Sequence, residues 1–203
     1  MNIGAILMAS GAGVRFGSNK LLFPVAGVPL FQRSFAACPP ALFTAAVVVS
    51  CYEEVLKAAQ TAGYEPVYNP FSAEGQAASL RLGLEAVAQR DGYLFAVCDQ
   101  PYLTAQSVGA LLAAHHDAPR GTITALSYGG RRGNPVIFDD SYREELLSLA
   151  GDTGGKAVIA AHQDRLLLVE AGAERELLDL DSAADVETVA KAGENIDFQR
   201  NLW

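Results

Sequence analysis

Residues 3–20, IGAILMASGAGVRFGSNK, carry the strongest signal for the fold of this chain. The run at residues 3–9 is apolar or small throughout, which is typical of a strand covered on both faces. The glycines Gly11, Gly13 and Gly17 follow it and free the backbone to turn its amides towards an anion. Arg15 and Lys20 add positive charge to the same loop. A strand followed by such a loop predicts a cradle for a triphosphate, and a glycine-rich surface turn is the alternative.

Two familiar phosphate-binding motifs are excluded in this loop. A Walker A loop requires Gly-Lys followed by Ser or Thr, whereas Lys20 stands between Asn19 and Leu21. The dinucleotide fingerprint requires a glycine where this chain has Phe16. The loop is therefore neither a P-loop nor a standard dinucleotide-binding loop, and an oxidoreductase that uses a dinucleotide is disfavoured.

Beyond this loop, short apolar runs alternate with helical patterns along the whole chain. Strands are predicted at residues 3–9, 44–51, 64–68, 93–98, 122–128, 135–138 and 166–170. Helices are predicted at residues 29–37, 53–62, 76–89, 105–116 with Thr104 as N-cap, 141–149, 155–162 and 182–191. This order predicts an α/β fold, a single three-layer α/β/α domain with a mostly parallel, Rossmann-like sheet. We assign the domain to residues 1–193 and a polar C-terminal tail to residues 194–203.

Composition narrows the class of protein. The 203 residues carry a net charge of −8, which disfavours general nucleic-acid binding because that needs a surplus of Lys and Arg. Three cysteines without a CxxC spacing disfavour disulfides and a zinc site, and Cys51 and Cys98, at the ends of apolar runs, are predicted to be buried thiols. No apolar run has the length of a membrane span, and no signal-peptide pattern stands at the N-terminus. We therefore expect a cytoplasmic protein with no nucleic-acid or membrane partner.

Asp99 is the next residue that the predicted topology singles out. It follows the buried strand at residues 93–98, and ligands of open α/β sheets bind at the carboxyl ends of strands. A carboxylate at this point predicts a ligand for a metal ion. The alternative is a turn that only caps the next helix.

The stretch at residues 6–30, ILMASGAGVRFGSNKLLFPVAGVPL, resembles the opening of the MobA-like NTP transferases. It is most similar to the molybdenum cofactor cytidylyltransferases, whose pattern is LAAGxSxRMGxxKLL followed by a GxPL turn. The chain agrees with this pattern at Gly11, Arg15, Gly17, Lys20, Leu21, Leu22, Gly27, Pro29 and Leu30. It departs from it at Met8, Ser10, Gly13 and Phe16.

Further segments resemble the same family in the same order along the chain. They are the segments at residues 75–84, 99–101, 129–138, 151–156 and 178–186. Lys156 stands where the family has arginine, which keeps the charge but loses the bidentate fork. The resemblance covers residues 3–189 and implies the nucleotide-diphospho-sugar transferase type of sheet.

The resemblance also implies roles for individual residues. Lys20, Arg15 and Asp99 are the implied catalytic residues, and Asp99 and Asp181 are the implied ligands of Mg²⁺. The implied nucleotide-binding residues are Ala9, Ser10, Gly11, Gly13, Gly17, Lys20, Gly75 and Ser79. The implied acceptor-binding residues are Gln100, Arg131, Asn134, Asp152 and Lys156.

The implied activity is transfer of CMP from CTP to the phosphate of molybdopterin, with Mg²⁺ as cofactor and a molybdenum hydroxylase as a further partner. Three alternatives are open: a GTP-using relative, a transferase for a sugar or alditol phosphate, and a non-catalytic carrier of the molybdenum cofactor. The GTP-using relatives have LAGG at the loop, so MASG is nearer the CTP type, although Ser10 fits neither pattern. The three histidines lie outside every motif, and we expect them to be structural or exposed.

Overall fold

The computed structural model describes residues 1–11 and 19–180. Its strands are β1 (Ile3–Met8), β2 (Pro24–Val25), β3 (Val28–Pro29), β4 (Ala45–Ser50), β5 (Glu65–Tyr68), β6 (Gly92–Val97), β7 (Ile123–Tyr128), β8 (Arg131–Asp139) and β9 (Leu166–Glu170). Its helices are α1 (Leu30–Ala37), α2 (Glu53–Thr61), α3 (Gln76–Ala86), α4 (Ala105–Asp117), α5 (Arg143–Leu147) and α6 (Lys156–Ala161).

The main sheet has the strand order β5-β4-β1-β6-β8-β7-β9. Every adjacent pair is parallel except the two pairs that contain β8, so the predicted mostly parallel sheet is confirmed. The chain passes from β1 outwards to β4 and β5, then returns to place β6 on the other side of β1. The switch point therefore lies between the carboxyl ends of β1 and β6, where such sheets bind ligands.

Helices cover both faces of the sheet, which confirms the predicted three layers. Alternate side chains of β1 separate the two cores: Leu7 packs on the side of α1, α2 and α4, and Ile6 packs on the side of α3, α5 and α6. Helix α3 lies so close to β1 that a Cβ on Gly83 would stand 2.3 Å from the Ile6 side chain. Helix α3 therefore packs directly on β1, and its first turn begins at the carboxyl edge of the sheet.

Local structure follows the predicted elements with a few differences. Thr104 caps α4 as expected, because its side chain accepts a hydrogen bond from the Ser107 amide. The strand predicted at residues 135–138 begins earlier, at Arg131, because it forms a hairpin with β7. Strands β2 and β3 form a second hairpin that sequence periodicity did not reveal, since each contains only two residues. The helix predicted at residues 182–191 lies outside the described residues.

Among the described residues, the helices are all too short or too polar to cross a bilayer. The three cysteines are free thiols. Cys98 is buried as predicted, Cys51 is half-buried rather than buried, and Cys38, for which no burial was predicted, is also buried.

Candidate active site

An ion pair between Lys20 and Asp99 stands at the switch point. The Lys20 Nζ lies 2.7 Å from Asp99 Oδ2, and the two side chains are only 12% and 19% exposed. Lys20 begins a short 3-10 turn that is anchored by the buried Leu21 and capped by the Asn19 side chain. Asp99 follows β6 directly, and the Cys98 amide still bonds to the Met8 carbonyl of β1. The ends of β1 and β6 thus bring together two residues that are 79 positions apart.

Polar atoms around this pair are buried without a partner. Within the described part of the chain they are Asp99 Oδ1, both amide atoms of Gln100 and Asn19 Nδ2. Gln100 is 1% exposed. Leaving such a group unpaired costs about 1–3 kcal/mol, so a cluster of them indicates where a ligand supplies the missing partners.

The donor set near Asp99 fits a metal ion that is held mostly by a substrate. Mg²⁺ is commonly bound by one or two carboxylates together with substrate phosphates. Asp99 offers one such oxygen, and residues 1–11 and 19–180 contain no group of three acidic, His or Cys side chains that forms a metal cage by itself. The Leu180 amide donates to the Asp99 carbonyl at 2.9 Å, so the chain just before Asp181 lies beside Asp99. Asp181 itself lies outside the described residues, as do Gly13, Arg15 and Gly17.

A buried hydrogen-bond network joins the end of β1 to the first turn of α3. Asn69, which is fully buried, donates through Nδ2 to Ser10 Oγ at 3.3 Å and to Ser79 Oγ at 3.0 Å. The Ser50 hydroxyl donates to the Ala9 carbonyl at 2.7 Å. Sequence reasoning identified Ala9, Ser10 and Ser79 but missed Asn69, although its place directly after β5 at the carboxyl edge was a usable signal.

The segment at Gly75, predicted to bind the nucleotide, and the segment at Gly151, predicted to bind the acceptor, are in direct contact. A Cβ on Gly75 would stand 2.5 Å from the Gly151 backbone and 2.6 Å from the Asp152 nitrogen. The Ala77 amide donates to the Gly151 carbonyl at 3.1 Å. The fold therefore joins two motifs that the sequence separates by about 75 positions.

The remaining residues predicted for the acceptor lie nearer the surface. Arg131 is 60% exposed, and its guanidinium lies 3.6 Å from Glu174. Asp152 and Lys156 are exposed, and Asn134 is half-buried in β8. Because β8 is antiparallel to β6, its first residues lie at the same sheet edge as Asp99.

Residues 174–180 cross this edge as a strap that sequence reasoning did not identify. Glu176 is buried and accepts hydrogen bonds from the amide and the hydroxyl of Thr104, at 3.2 Å and 2.8 Å. Leu177 packs on Gly133, where a Cβ would stand 2.6 Å away. The strap thereby ties β8 to the loop after Asp99, and no local sequence pattern marks it.

Comparison with known proteins gives one family and several structural relatives. The family model for the MobA-like NTP transferase domain matches residues 5–166. A nicotine blue oxidoreductase from Paenarthrobacter nicotinovorans is 27% identical over 196 residues, covering 87% of this chain and 91% of that protein.

Two solved structures share the fold. A nucleotidyl transferase from Methanothermobacter superposes with a TM-score of 0.80 at 23% identity, covering 95% of this chain and 98% of that one. A Mycobacterium tuberculosis protein in complex with manganese superposes with a TM-score of 0.74 at 19% identity, covering 95% of this chain and 100% of that one. These likenesses extend over nearly all of the chain, so the fold is that of the nucleotidyltransferases.

Proposed function

The chain belongs to the family of MobA-like NTP transferases and is a nucleotidyltransferase, and we propose that it transfers CMP from CTP to the phosphate of molybdopterin. The observation that carries this proposal is the Lys20–Asp99 pair at the switch point, with Asp99 Oδ1 buried and unpartnered among the described residues. A cation and a carboxylate held together there are the charges that a triphosphate and its metal ion require.

The proposed reaction needs charge neutralisation more than proton transfer. An oxygen of the acceptor phosphate attacks the α-phosphorus of CTP, a new P–O bond forms, and the bond to the bridging oxygen of pyrophosphate breaks. A phosphate monoester is largely ionised at neutral pH, so the attacking oxygen needs no strong general base. This agrees with the positions of His115, buried between α4 and the sheet, and His162, which pairs with Glu145 at 2.8 Å.

Lys20 and Asp99 have complementary roles in the proposal. The Lys20 ammonium stabilises the negative charge that grows on the α-phosphate and on the leaving pyrophosphate, with Arg15 as a second cation. Asp99 would hold Mg²⁺ together with Asp181, and Mg²⁺, when bound, would supply positive charge against the phosphates. The manganese complex of the Mycobacterium tuberculosis relative supports a divalent cation in this fold.

The two substrates bind on different sides of the Lys20–Asp99 pair in this proposal. The backbone of Ala9, Ser10 and Gly11, continued by Gly13 and Gly17, holds the triphosphate. Gly75 and Ser79, at the start of α3, hold the nucleoside. Gln100, Arg131, Asn134, Asp152 and Lys156 hold the acceptor, and the contact of Gly75 with Gly151 supports adjacent positions for the two substrates.

Calorimetry of NTP binding tests the proposal. CTP, GTP, ATP and UTP are titrated with Mg²⁺ into the wild type, Asp99→Asn and Asp164→Asn, a control that removes one charge from a 77% exposed aspartate. We expect the wild type to bind CTP most tightly, Asp99→Asn to bind it weakly and Asp164→Asn to be unchanged. GTP preference would instead favour the guanylyl branch, and no Mg²⁺-dependent binding of any NTP would contradict the enzyme activity proposed here.

Acceptor identity is tested by release of pyrophosphate from CTP. Molybdopterin is compared with a sugar phosphate and an alditol phosphate at equal concentration. We expect release with molybdopterin alone, and release with either of the other acceptors would reassign the substrate.

An oxidoreductase is the second candidate, because the Paenarthrobacter relative that matches over 87% of this chain is named nicotine blue oxidoreductase. Titration of NADPH in the same calorimeter separates the two functions. Binding of NADPH in place of CTP, with Mg²⁺ having no effect, would favour the oxidoreductase.

A further inference from the structure

Asn69 fixes the direction of every hydrogen bond in the network that joins Ser10 to Ser79. The Phe71 amide donates to Asn69 Oδ1 at 2.8 Å. A backbone N–H is only a donor, so the atom that it meets is the amide oxygen, and the orientation of the Asn69 amide is settled. The other end of that amide is therefore the NH₂ group, with two protons to donate.

Those two protons determine whether each serine hydroxyl accepts or donates in this network. Asn69 Nδ2 lies 3.3 Å from Ser10 Oγ and 3.0 Å from Ser79 Oγ, so both oxygens accept. Each hydroxyl keeps one proton of its own to donate. The Ser10 proton goes to the Val49 carbonyl at 3.2 Å.

The Ser79 proton has no acceptor among the described residues. A serine inside a helix often donates to the carbonyl four residues earlier, but Ser79 makes no such bond to Gly75. Ser79 is 5% exposed and Asn69 is fully buried, so water does not easily replace a missing partner. A buried hydroxyl proton that the protein itself leaves unused is available to a ligand at the start of α3.

We propose that Asn69 is a positioning residue, which holds the Ser79 hydroxyl as a donor to an acceptor oxygen on the nucleoside of the bound NTP. This inference rests on the proposed function, since it assigns the nucleoside to the start of α3. Of the nucleoside oxygens that can accept this proton, we assign the contact to the carbonyl at position 2 of a pyrimidine or to the 2′-hydroxyl of the ribose. Asn69 itself does not touch the ligand, because both ends of its amide are occupied by the protein.

The test compares three ligands on four proteins. Dissociation constants are measured with Mg²⁺ for CTP, 2-thio-CTP and 2′-deoxy-CTP on the wild type, Ser79→Ala, Asn69→Asp and Ser107→Ala. The 2-thio group is a weak acceptor, and the deoxyribose lacks the 2′ oxygen, so the two analogues separate the two candidate oxygens. Ser107 is the matched control, a buried serine in the first turn of α4.

We expect the wild type and Ser107→Ala to bind one analogue roughly tenfold more weakly than CTP, which is the effect of one hydrogen bond. Ser79→Ala should bind CTP and that analogue equally. Asn69→Asp should also lose the discrimination although Ser79 is intact, because the carboxylate accepts the Ser79 proton. The added charge acts on all three ligands alike and cancels in the ratio.

The inference is overturned if the wild type binds CTP but discriminates against neither analogue, or if Ser79→Ala or Asn69→Asp keeps the discrimination of the wild type. If Asn69→Asp does not fold, Asn69→Ala, which removes the donor to Ser79, takes its place, and discrimination as large as that of the wild type would overturn the inference. If GTP is the nucleotide that binds, 2′-deoxy-GTP provides the ribose comparison by itself. Absence of Mg²⁺-dependent binding of every NTP to the wild type would be a failure of the proposed function instead, so the two failures are distinct.

Discussion

The two edges of the sheet differ in how their polar groups are paired. At the carboxyl edge, Asp99 Oδ1 and the Gln100 amide are buried without partners among the described residues. The amino edge has a cavity of about 440 Å³, lined by Arg120, Gly121, Ser141, Tyr142, Glu145, His162, Asp164 and Arg165. Its groups bond to protein atoms, as in His162 with Glu145 at 2.8 Å and the Tyr142 hydroxyl with the Gly121 carbonyl at 2.7 Å. The amino edge also contains unpaired buried nitrogens, on Arg90, His115 and Arg143, but no unpaired carboxylate oxygen among the described residues. An unpaired carboxylate oxygen beside a buried ion pair, rather than the size of a cavity, therefore distinguishes the candidate site.

The largest difference is expected in kcat, when a carboxylate at the carboxyl edge and one at the amino edge are each replaced by an amide. Asp99→Asn should lower kcat of the proposed transfer by roughly a hundredfold or more, because it removes a charge aimed at the reacting phosphates. Asp139→Asn, at the amino edge, should leave kcat unchanged. Steady-state release of pyrophosphate measures both variants, and equal losses of kcat would erase the distinction between the edges.

The next largest difference is expected in folding free energy, between alanine substitutions at one glycine of each edge. Gly75 has φ +95°, and a Cβ there would stand 2.5 Å from the Gly151 backbone, so Gly75→Ala should cost about 3 kcal/mol of folding free energy. Gly121 has φ +77° but only one atom at 4.0 Å, so Gly121→Ala should cost about 1 kcal/mol from backbone strain. Urea denaturation measures both, and a cost for Gly121→Ala as large as for Gly75→Ala would contradict the tight contact.

A smaller effect concerns the pH dependence of stability at Asp139. Burial opposes ionisation, but hydrogen bonds from Ser141 and Gly121 and the charge of Arg120 outweigh it, so the pKa of Asp139 lies below its usual value. This carboxylate therefore contributes stability above its unfolded pKa of about 3.9, and the contribution is lost as pH falls through the folded pKa. The wild type should lose more stability than Asp139→Asn between about pH 5 and pH 3. Urea midpoints across this range measure the difference, and parallel curves would contradict it.

The smallest effect is expected at His115, whose Nε2 is buried without a partner in the described part of the chain. Burial lowers the pKa of His115, so the folded state holds the neutral ring. Its contribution is present above the unfolded pKa of 6.5 and is lost as pH falls below that value, with a slope of at most about 1.4 kcal/mol per pH unit. His115→Asn should flatten the curve of unfolding free energy against pH between pH 7 and about pH 5. Substitution of its exposed neighbour, His116→Asn, should not. A curve for His115→Asn that matches the wild type would exclude this source of pH dependence.

Periodicity and loop chemistry were sufficient to predict most of the strands and helices. The runs at residues 45–49 and 93–98 are apolar throughout because both faces of β4 and β6 are covered, and this made the parallel sheet predictable. The two-residue strands β2 and β3 were missed because two residues carry no period. At the site, Lys20 and Asp99 could be predicted because each stands next to a recognisable strand end or loop. Asn69 and Glu176 were missed because Asn69 joins Ser79 to the distant Ser10, and Glu176 bonds to the distant Thr104.

The sequence by itself determined the α/β class, the glycine-rich loop after β1, the carboxylate at the end of β6 and the family. These features are local, since each depends on residues within one strand and the turn that follows it. Only the tertiary structure decided that Lys20 forms an ion pair with Asp99, that Gly75 packs on Gly151 and that the Asn69 amide donates both of its protons to serines. Apart from Asn69 and Ser79, which are ten positions apart, these contacts join residues 59 to 79 positions apart. They depend on which strands become neighbours and on how closely the helices pack, and no local pattern records either.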